Sequence, residues 1–168
     1  KPFKPAVVKA RVRTHIELVR ERQRGESLLA NILPPKVIEE LKISGSSTPQ
    51  LYDDVSVIFS DLVNFTSLAA IMPPKILLNE LTEIFSAFDD ILLQNGAQRI
   101  KTIGDAYLGV CGMPEPSQDH AVRLARCGLE FIKFLQQRNG HGAHKWQVRI
   151  GINSGPVVAG IVGFARFQ

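Results

Sequence analysis

Apolar residues recur at helical spacing in three stretches of the chain, and each stretch predicts a helix. The first helix is predicted over residues 5–31. Its apolar stripe consists of Val8, Val12, Ile16 and Val19. The second helix is predicted over residues 73–94, from a Pro-Pro pair to an Asn-Gly stop, and the third over residues 117–138, beginning at a capping serine. After the first helix, Pro34-Pro35 starts a short helix, and residues 43–51 predict a loop.

Shorter runs, in which β-branched and aromatic residues alternate with small or polar ones, predict strands. These runs cover residues 55–60, 99–103, 106–111, 148–153 and 156–162. Gly104-Asp105 separates the second run from the third and is typical of a two-residue hairpin turn. Strands and helices in this order predict an α+β fold with helices on one face of a mostly antiparallel sheet. The predicted architecture is a ferredoxin-like βαββαβ core with one extra strand, preceded by a long N-terminal helix.

Two aspartates stand at the ends of predicted strands. Asp61 directly follows the first strand, and Asp105 occupies the hairpin turn. If the two strands are neighbours in one sheet, these carboxylates converge at one edge and offer the oxygen ligands that Mg²⁺ or Mn²⁺ prefers. Aspartate is also common in turns, so two unrelated surface residues remain the alternative.

Three motifs occur in a fixed order along the chain: F-S-D-L-V-N-F-T-S-L, I-K-T-I-G-D-A-Y and R-I-G-I-N-S-G-P-V-V-A-G-I-V-G. Together they closely resemble the class III nucleotidyl cyclase catalytic domain, the family that includes adenylate and guanylate cyclases. The resemblance covers residues 28–168. It implies a lyase that converts a nucleoside triphosphate into a 3′,5′-cyclic nucleotide and pyrophosphate by a two-metal mechanism.

The resemblance assigns roles to individual residues. Asp61 and Asp105 match the family's two catalytic aspartates, which hold two divalent cations, Mg²⁺ or Mn²⁺, and the carbonyl of Leu62 matches its backbone metal ligand. Lys101 matches the position that contacts the purine, where lysine accompanies adenine and glutamate accompanies guanine. The resemblance therefore implies an adenylate cyclase that makes cyclic AMP from ATP. A guanylate cyclase remains an alternative, as does a degenerate module that only binds nucleotide or dimerises.

The segment Asn64, Phe65 and Thr66 lies between the first strand and a helical pattern, where free backbone N–H groups and the helix dipole favour a phosphate. The family usually has glycine where this chain has Asn64. Asparagine tolerates a left-handed backbone better than most residues do, so we expect the loop to keep its shape. These three residues are predicted to contact the substrate.

The family's sites form between two protomers, with the two aspartates from one and the lysine from the other. Because this chain carries both kinds of residue, the resemblance implies a homodimer with two equivalent sites. On this interpretation, residues 1–31 are the end of a receiver-like domain and a signalling connector helix. Residues 32–50 are a linker, and residues 51–168 are the catalytic domain.

Both ends of the chain carry further expectations from resemblance. Lys1-Pro2-Phe3 and the helix after it resemble the last segment of a response-regulator receiver domain, which implies an upstream receiver in a longer two-component protein.

At the other end, residues 166–168 come before the Y-D-x-W-G segment, the Asn and the Arg of the family. The family uses these residues to select the purine, position the ribose and stabilise the transition state. We therefore expect the chain ending at Gln168 to bind metal and nucleotide with little or no turnover.

Composition excludes several other classes of protein. No apolar run approaches the roughly 20 residues that span a bilayer, and the first residues lack the apolar core of a signal peptide, so we expect a cytoplasmic protein without a membrane span. Residues 1–24 hold eight of the 20 Lys and Arg, but the basic helix that begins at Pro5 lacks aromatic stacking residues and a broad apolar face, so a nucleic-acid partner is not expected. Cys111 and Cys127 are predicted to be reduced core residues. A diguanylate cyclase would share the paired acids, but its G-G-D/E-E-F signature is missing.

Overall fold

The computed structural model describes residues 5–30, 35–44 and 48–160. Its helices and strands are, in chain order, α1 (Pro5–Ala30), α2 (Pro35–Ser44), β1 (Gln50–Leu62), α3 (Phe65–Ile71), α4 (Pro74–Gln94), β2 (Gln98–Ile103), β3 (Ala106–Cys111), α5 (His120–Asn139) and β4 (Val148–Ala159). The described residues divide into two compact units, one up to Pro49 together with Gly160 and the other from Gln50 to Ala159.

Every strand that the structure describes belongs to one sheet, in the order β2-β3-β1-β4. All of its pairings are antiparallel. The central strand β1 therefore lies between the β2–β3 hairpin and β4. Helical segments follow β1 and β3, so the arrangement is the predicted α+β, ferredoxin-like one, and the long helix α1 precedes it as expected.

Helices α4 and α5 pack on one face of this sheet and form the core with it. The core members that the helices contribute include Ile84, Phe88, Leu92, Leu124, Cys127, Phe131 and Leu135. The rings of Phe88 and Phe131 stack with centroids 3.7 Å apart, and Tyr107 of β3 meets both rings edge-on. Both cysteines are free and buried, as predicted.

The two runs predicted as separate strands at the end of the chain form a single strand, β4. Ser154 and Gly155, which the sequence suggested as a turn, instead pair with Ser56 and Val55 of β1. The antiparallel pairing of β4 with β1 therefore continues through Ser154 and Gly155, and each of these pairs extends the contact between the two strands. The predicted extra strand is not found in the described part of the chain, and residues 161 and 162 lie outside it.

Other predicted boundaries shift by a few residues. The loop expected over residues 43–51 is shorter, since α2 ends at Ser44 and β1 begins at Gln50. The residue preceding α5 is Asp119 rather than Ser117, and the Ser117 hydroxyl instead donates to Asp119 Oδ1 at 2.8 Å.

Helix α1 begins at the predicted residue, and its side chains over residues 8–23 are all exposed. In the described ranges no helix is both long and apolar enough to cross a bilayer. The Lys1-Pro2-Phe3 match and residues 166–168 lie outside the described residues.

Candidate active site

Asp61 and Lys101, two of the predicted site residues, lie on the sheet face that α4 and α5 do not cover. On β1, Ser60 is buried toward the helices, so the alternating residues Phe59 and Asp61 point away from them. The pairing register carries this alternation across the sheet. Asp61 pairs with Arg149 of β4, and Phe59 pairs with Leu108 of β3. Phe59 is 46% exposed, which shows how open this face is.

The two predicted metal-binding aspartates come to the same end of the sheet. β1 and β3 are neighbours, and Ser60 pairs with Tyr107 while Ile103 pairs with Ala106. The hairpin turn that contains Asp105 is therefore beside the end of β1 that contains Asp61. Gly104 opens this turn with φ of 63°, a conformation that glycine adopts without strain. The neighbouring strands that the predicted convergence requires are therefore present, and metal binding by the two aspartates stays a prediction.

Arg149 forms a two-point ion pair with Asp61. Its Nε donates to Asp61 Oδ1 at 3.0 Å, and its Nη2 donates to Oδ2 at 2.7 Å. The hydrogen bonds to Asp61 and the charge of that carboxylate raise the pKa of Arg149, and the negative charge of Asp105 raises it further. Arg149 thus lies in the field of both carboxylates.

The arrangement can accept a divalent cation, although the chain supplies only part of the coordination. The guanidinium against Asp61 shows that this carboxylate faces a position that a cation can occupy. Leu62 follows Asp61, and because a leucine side chain has no atom that binds metal, its backbone carbonyl is the group it can offer. Among the described side chains, no group of three or more His, Cys, Asp or Glu is arranged around one point. Water or substrate oxygens would have to complete the shell.

The loop after β1 has the backbone shape that the sequence predicted for Asn64. This residue has φ of 59° and ψ of 21°, in the left-handed region, and directly precedes α3. Val63 N–H donates to the carbonyl of Gln147 at 2.8 Å, which ties the loop to the segment before β4. The Phe65 ring packs against Trp146 with centroids 6.3 Å apart. The side chain of Phe65 therefore anchors the loop to Trp146. The turn at Asn64 orients only the backbone of Phe65.

Lys101 lies on the same open face but away from the aspartates. It is exposed and pairs with Leu108, which in turn pairs with Phe59. Two strand spacings across the sheet and two residues along it place the Cα atoms of Lys101 and Asp61 about 12 Å apart. The structure thus brings Asp61, Asp105 and Arg149 together within one chain and leaves Lys101 outside that group.

A buried ion-pair network fixes the segment that leads into β4. Trp146 donates from Nε1 to Glu80 Oε2 at 2.7 Å, and Arg138 donates from Nη2 to the same oxygen at 2.6 Å. Burial by itself would raise the pKa of Glu80, but these hydrogen bonds outweigh it and hold the pKa below its usual value. His144 Nδ1 lies 3.7 Å from the other oxygen of Glu80, so this loop histidine belongs to the network. The network positions the start of β4, and Arg149 follows three residues after Trp146.

Arg149 is the site residue that the sequence reasoning missed. It stands in the third motif between Val148 and Ile150, both of which pack against the core. That alternation predicts an outward-facing side chain on the strand. Its partner Asp61 lies 88 positions earlier, and only the pairing of β1 with β4 reveals the contact.

Comparison with known proteins identifies the family. Residues 47–168 match the adenylate and guanylate cyclase catalytic domain. An adenylate cyclase of Mycobacterium tuberculosis is 39% identical over 148 residues, which are 88% of this chain and 33% of the relative. The receptor-type guanylate cyclase gcy-13 of Caenorhabditis elegans is also 39% identical, over 150 residues, which are 88% of this chain and 15% of that protein. The chain thus spans about a third or less of the length of these curated relatives.

Solved structures give the same result. The dimeric guanylyl cyclase domain of the RhoGC fusion protein from Blastocladiella emersonii superposes with a TM-score of 0.64 at 34% identity, covering 71% of this chain and 67% of that one. The adenylyl cyclase CyaB from Pseudomonas aeruginosa superposes with a TM-score of 0.63 at 26% identity, covering 70% and 63%. Adenylate and guanylate cyclases are therefore similarly close to this chain. The match over most of the sequence, on the fold these relatives have, shows that this chain belongs to the adenylate and guanylate cyclase catalytic-domain family.

Proposed function

We propose that this domain is an adenylate cyclase, which closes ATP to 3′,5′-cyclic AMP and releases pyrophosphate. The observation that carries the proposal is the convergence of Asp61 and Asp105 beside Arg149. In this reaction the ribose 3′-oxygen attacks the α-phosphorus while negative charge develops on the leaving pyrophosphate. Carboxylates that hold cations and a guanidinium that holds phosphate are the groups such a reaction requires.

Asp61, Asp105 and the Leu62 carbonyl are the groups that would hold two divalent cations, Mg²⁺ or Mn²⁺. When bound, these cations lower the pKa of the attacking hydroxyl and neutralise the triphosphate. The chain's own contribution is orientation. β1 and the β2–β3 hairpin present the two carboxylates from paired strands, and Leu62 stays in place because its side chain is buried.

Arg149 exchanges partners in this proposal. If Asp61 held a cation, Arg149 would lose the two acceptors that it now uses. The guanidinium is then free to donate the same pair of hydrogen bonds to a phosphate of the substrate, for which its planar fork is well suited. Arg149 would thereby offset one of the two carboxylate charges before metal binds and become a phosphate ligand only when metal is bound.

The segment Asn64, Phe65 and Thr66 is proposed to hold a phosphate through its backbone. The first N–H groups of a helix have no acceptor within the helix, and the left-handed Asn64 aims the chain into α3. The ring of Phe65 is held by Trp146, which supports a backbone role for this residue. Thr66 can add its hydroxyl.

The choice of adenine rests on Lys101, since the comparisons include adenylate and guanylate cyclases at the same identity. An ammonium donates to a ring nitrogen of adenine but offers nothing to the N–H groups of guanine. Lys101 is exposed on the open face and is free to reach a base.

A homodimer is proposed because one chain does not complete the site. Lys101 lies about 12 Å from Asp61 across the sheet, so we assign the lysine of each site to the second copy. The half-exposed Phe59 on the same face favours burial by a partner. The guanylyl cyclase domain from Blastocladiella emersonii has crystal structures as a non-canonical dimer and as a monomer. The interpretation of residues 1–31 as the end of a receiver and a connector, and the cytoplasmic location, stay predictions.

The test is cyclic nucleotide formation from ATP and from GTP with Mn²⁺, by wild type, Asp105→Asn and the control Asp90→Asn. Asp90 is an exposed carboxylate on α4, so its variant has the same change of charge away from the site. We expect cyclic AMP from wild type and control, and a loss of about 10²-fold or more in Asp105→Asn. Cyclic GMP as the main product would instead identify a guanylate cyclase.

Metal-dependent ATP binding is measured in parallel by calorimetry, because binding without product distinguishes a nucleotide-binding module from an enzyme. Binding that requires both Mn²⁺ and Asp105, without product, would favour the nucleotide-binding module. A wild-type protein with neither product nor metal-dependent binding would contradict the proposed function.

A further inference from the structure

Strand β2 contains an extra residue that determines the face on which Lys101 lies. The pairing of β2 with β3 shifts by one residue between Arg99 and Lys101, so Ile100 is the extra residue of a bulge. In the register before the bulge, Lys101 would pair with Tyr107, which is buried toward the helices. A shift of one residue moves every following side chain to the other face of a sheet, and bulges redirect side chains in this way. The bulge is therefore the reason that Lys101 lies on the open face.

A single carboxylate of α4 bonds β2 and β3 on both sides of this bulge. Asp89 Oδ1 accepts a hydrogen bond from the Tyr107 hydroxyl at 2.7 Å, and Asp89 Oδ2 lies 3.1 Å from Arg99 Nη1. Arg99 directly precedes the extra residue. Tyr107 pairs with Thr102, the residue after Lys101. We call Asp89, Arg99 and Tyr107 the Asp89 clamp, because together they fix the register before and after the bulge.

The Asp89 clamp is partly protected from water. Tyr107 is fully buried, whereas the side chains of Asp89 and Arg99 are 37% and 42% exposed. Burial raises the pKa of Tyr107, and the hydrogen bond to Asp89 raises it further, so the hydroxyl stays protonated and keeps donating. A hydrogen bond from a buried hydroxyl to a carboxylate is stronger than an exposed ion pair alone. In the described sheet β2 is an edge strand that pairs with β3, so contacts to α4 matter for its register.

We propose that Asp89 is a positioning residue for purine selection, which holds the bulged register that presents Lys101 to the base. The inference rests on the proposed function, in which Lys101 selects adenine, and adds the residue that keeps Lys101 on the open face. Asp89 contacts neither nucleotide nor metal in this proposal, because α4 covers the opposite face of the sheet. If the register were loose, the side chain at position 101 would spend part of its time on the wrong face, and the preference between adenine and guanine would fall.

The test compares the ratio of kcat/KM for ATP to that for GTP in wild type, Asp89→Asn, Lys101→Glu and the variant with both changes. Asparagine has the shape of aspartate but lacks the charge that holds Arg99. In the wild-type background, Asp89→Asn is expected to lower the ratio about fivefold. In the Lys101→Glu background, where glutamate favours GTP, the same change is expected to raise the ratio, because the misplaced glutamate loses its preference as well. A role in stability alone would lower both activities in proportion and leave both ratios unchanged.

Two further variants and one measurement without nucleotide sharpen the test. Tyr107→Phe removes only the hydroxyl and is expected to change the ratio in the same direction as Asp89→Asn. Asp90→Asn, at the next and exposed position of α4, is the matched control and should leave the ratio unchanged. Hydrogen exchange followed by mass spectrometry reports the register independently of activity. Residues 98–103 are expected to exchange about tenfold faster in Asp89→Asn, with residues 148–153 of β4 unchanged. Where product is too scarce, the ratio of ATP and GTP dissociation constants with Mn²⁺ replaces the kinetic one.

Each other outcome overturns a defined part of the proposal. A wild type that prefers GTP, or a ratio that Lys101→Glu leaves unchanged, overturns the role of Lys101 and the inference with it. A ratio that responds to Lys101→Glu but not to Asp89→Asn overturns the inference alone, as does unchanged exchange of residues 98–103 in Asp89→Asn. A fall of the ratio in both backgrounds would contradict positioning through residue 101. An equal effect of Asp90→Asn would assign the change to the charge of α4 rather than to the Asp89 clamp.

Discussion

Arg149 and Asp61 face each other across the β1–β4 ladder, and the guanidinium bonds both carboxylate oxygens, at 3.0 Å and 2.7 Å. The proposed metal ligand is therefore already paired with a cation of the protein. Asp105 adds its negative charge nearby, since that charge contributes to the raised pKa of Arg149. In the absence of metal the guanidinium offsets the repulsion between two acids that the fold brings together.

The first prediction concerns Arg149→Gln. Removing the competing guanidinium should tighten the binding of Mn²⁺ alone a few-fold, because the metal no longer displaces it from Asp61. The same change should lower turnover by about 10²-fold, since one charged group that holds the substrate's phosphates is lost. Calorimetric titration of Mn²⁺ without nucleotide and a cyclic AMP assay measure the two effects.

Arg126→Gln serves as the control, because Arg126 is exposed on α5, which covers the other face. Arg149→Lys should fall between wild type and Arg149→Gln, as lysine keeps the charge but loses the two-point geometry. Unchanged Mn²⁺ affinity in Arg149→Gln would argue against competition at Asp61.

The second prediction is a change of purine preference in Lys101→Glu. Glutamate accepts hydrogen bonds from guanine where lysine donates to adenine, and a mispaired buried polar group is costly. We expect the ratio of kcat/KM for ATP to that for GTP to fall about tenfold or more. Lys133→Glu, on the exposed side of α5, makes the same change of charge and should leave the ratio unchanged. A loss of both activities in equal proportion would remove Lys101 from base selection.

Local sequence pattern predicted the parts of the fold that local chemistry determines. Helix α4 follows the predicted residues 73–94 within one residue, and Gly104-Asp105 forms the expected turn. Asn64 adopts the left-handed backbone that its residue type favours. In each case the deciding interactions lie within a few residues of sequence, so a single stretch contains the necessary information.

The sequence-based predictions were wrong or incomplete where contacts between distant segments of the chain determine the structure. Ser154 has the composition of a turn, but its hydroxyl bonds the Ser56 hydroxyl at 2.6 Å and its backbone pairs with β1, so the strand continues. Ser56 Oγ also contacts His120 Nδ1 at 2.7 Å, a link between β1 and α5 that no local pattern encodes. The pairing of Arg149 with Asp61 has the same origin. Strand registers that span about a hundred residues determine these contacts, and spacing within one motif does not.

The third prediction tests the aromatic core. Phe131 is fully buried and stacks on Phe88 at 3.7 Å, so Phe131→Ala removes a ring that the neighbouring helix cannot replace. We expect the free energy of unfolding to fall by about 3–5 kcal/mol, measured by urea denaturation. Leu129→Ala on the same helix, where Leu129 is 70% exposed, should change it by no more than about 0.5 kcal/mol. Similar losses in both variants would show that helix α5 is not packed through Phe131.

The last prediction concerns acid stability and Glu80. Hydrogen bonds from Trp146 and Arg138 hold the pKa of Glu80 below its ordinary value of 4.5 in the folded protein. A carboxyl whose folded pKa is lowered contributes stability above its unfolded pKa and loses it as the pH falls through the folded value. Glu80→Gln should therefore be less stable than wild type near neutral pH, and the difference should shrink as the pH falls from 4.5 through the lower pKa of the folded carboxyl group.

Urea denaturation of both proteins at a series of pH values between neutral and acidic measures this convergence. Glu83→Gln is the matched control, because Glu83 accepts from the same Arg138 nitrogen at 2.9 Å but is 57% exposed. The ion pair of Glu83 is screened by water, so Glu83→Gln should differ from wild type by less at every pH.

The Glu80→Gln variant also allows a second measurement, of ATP binding. Because Trp146 and Arg138 hold the entry to β4 through Glu80, Glu80→Gln should also weaken metal-dependent ATP binding at neutral pH, by disturbing Arg149. A difference in unfolding free energy between wild type and Glu80→Gln that stays constant across the pH series would contradict the charged role of Glu80 in this network.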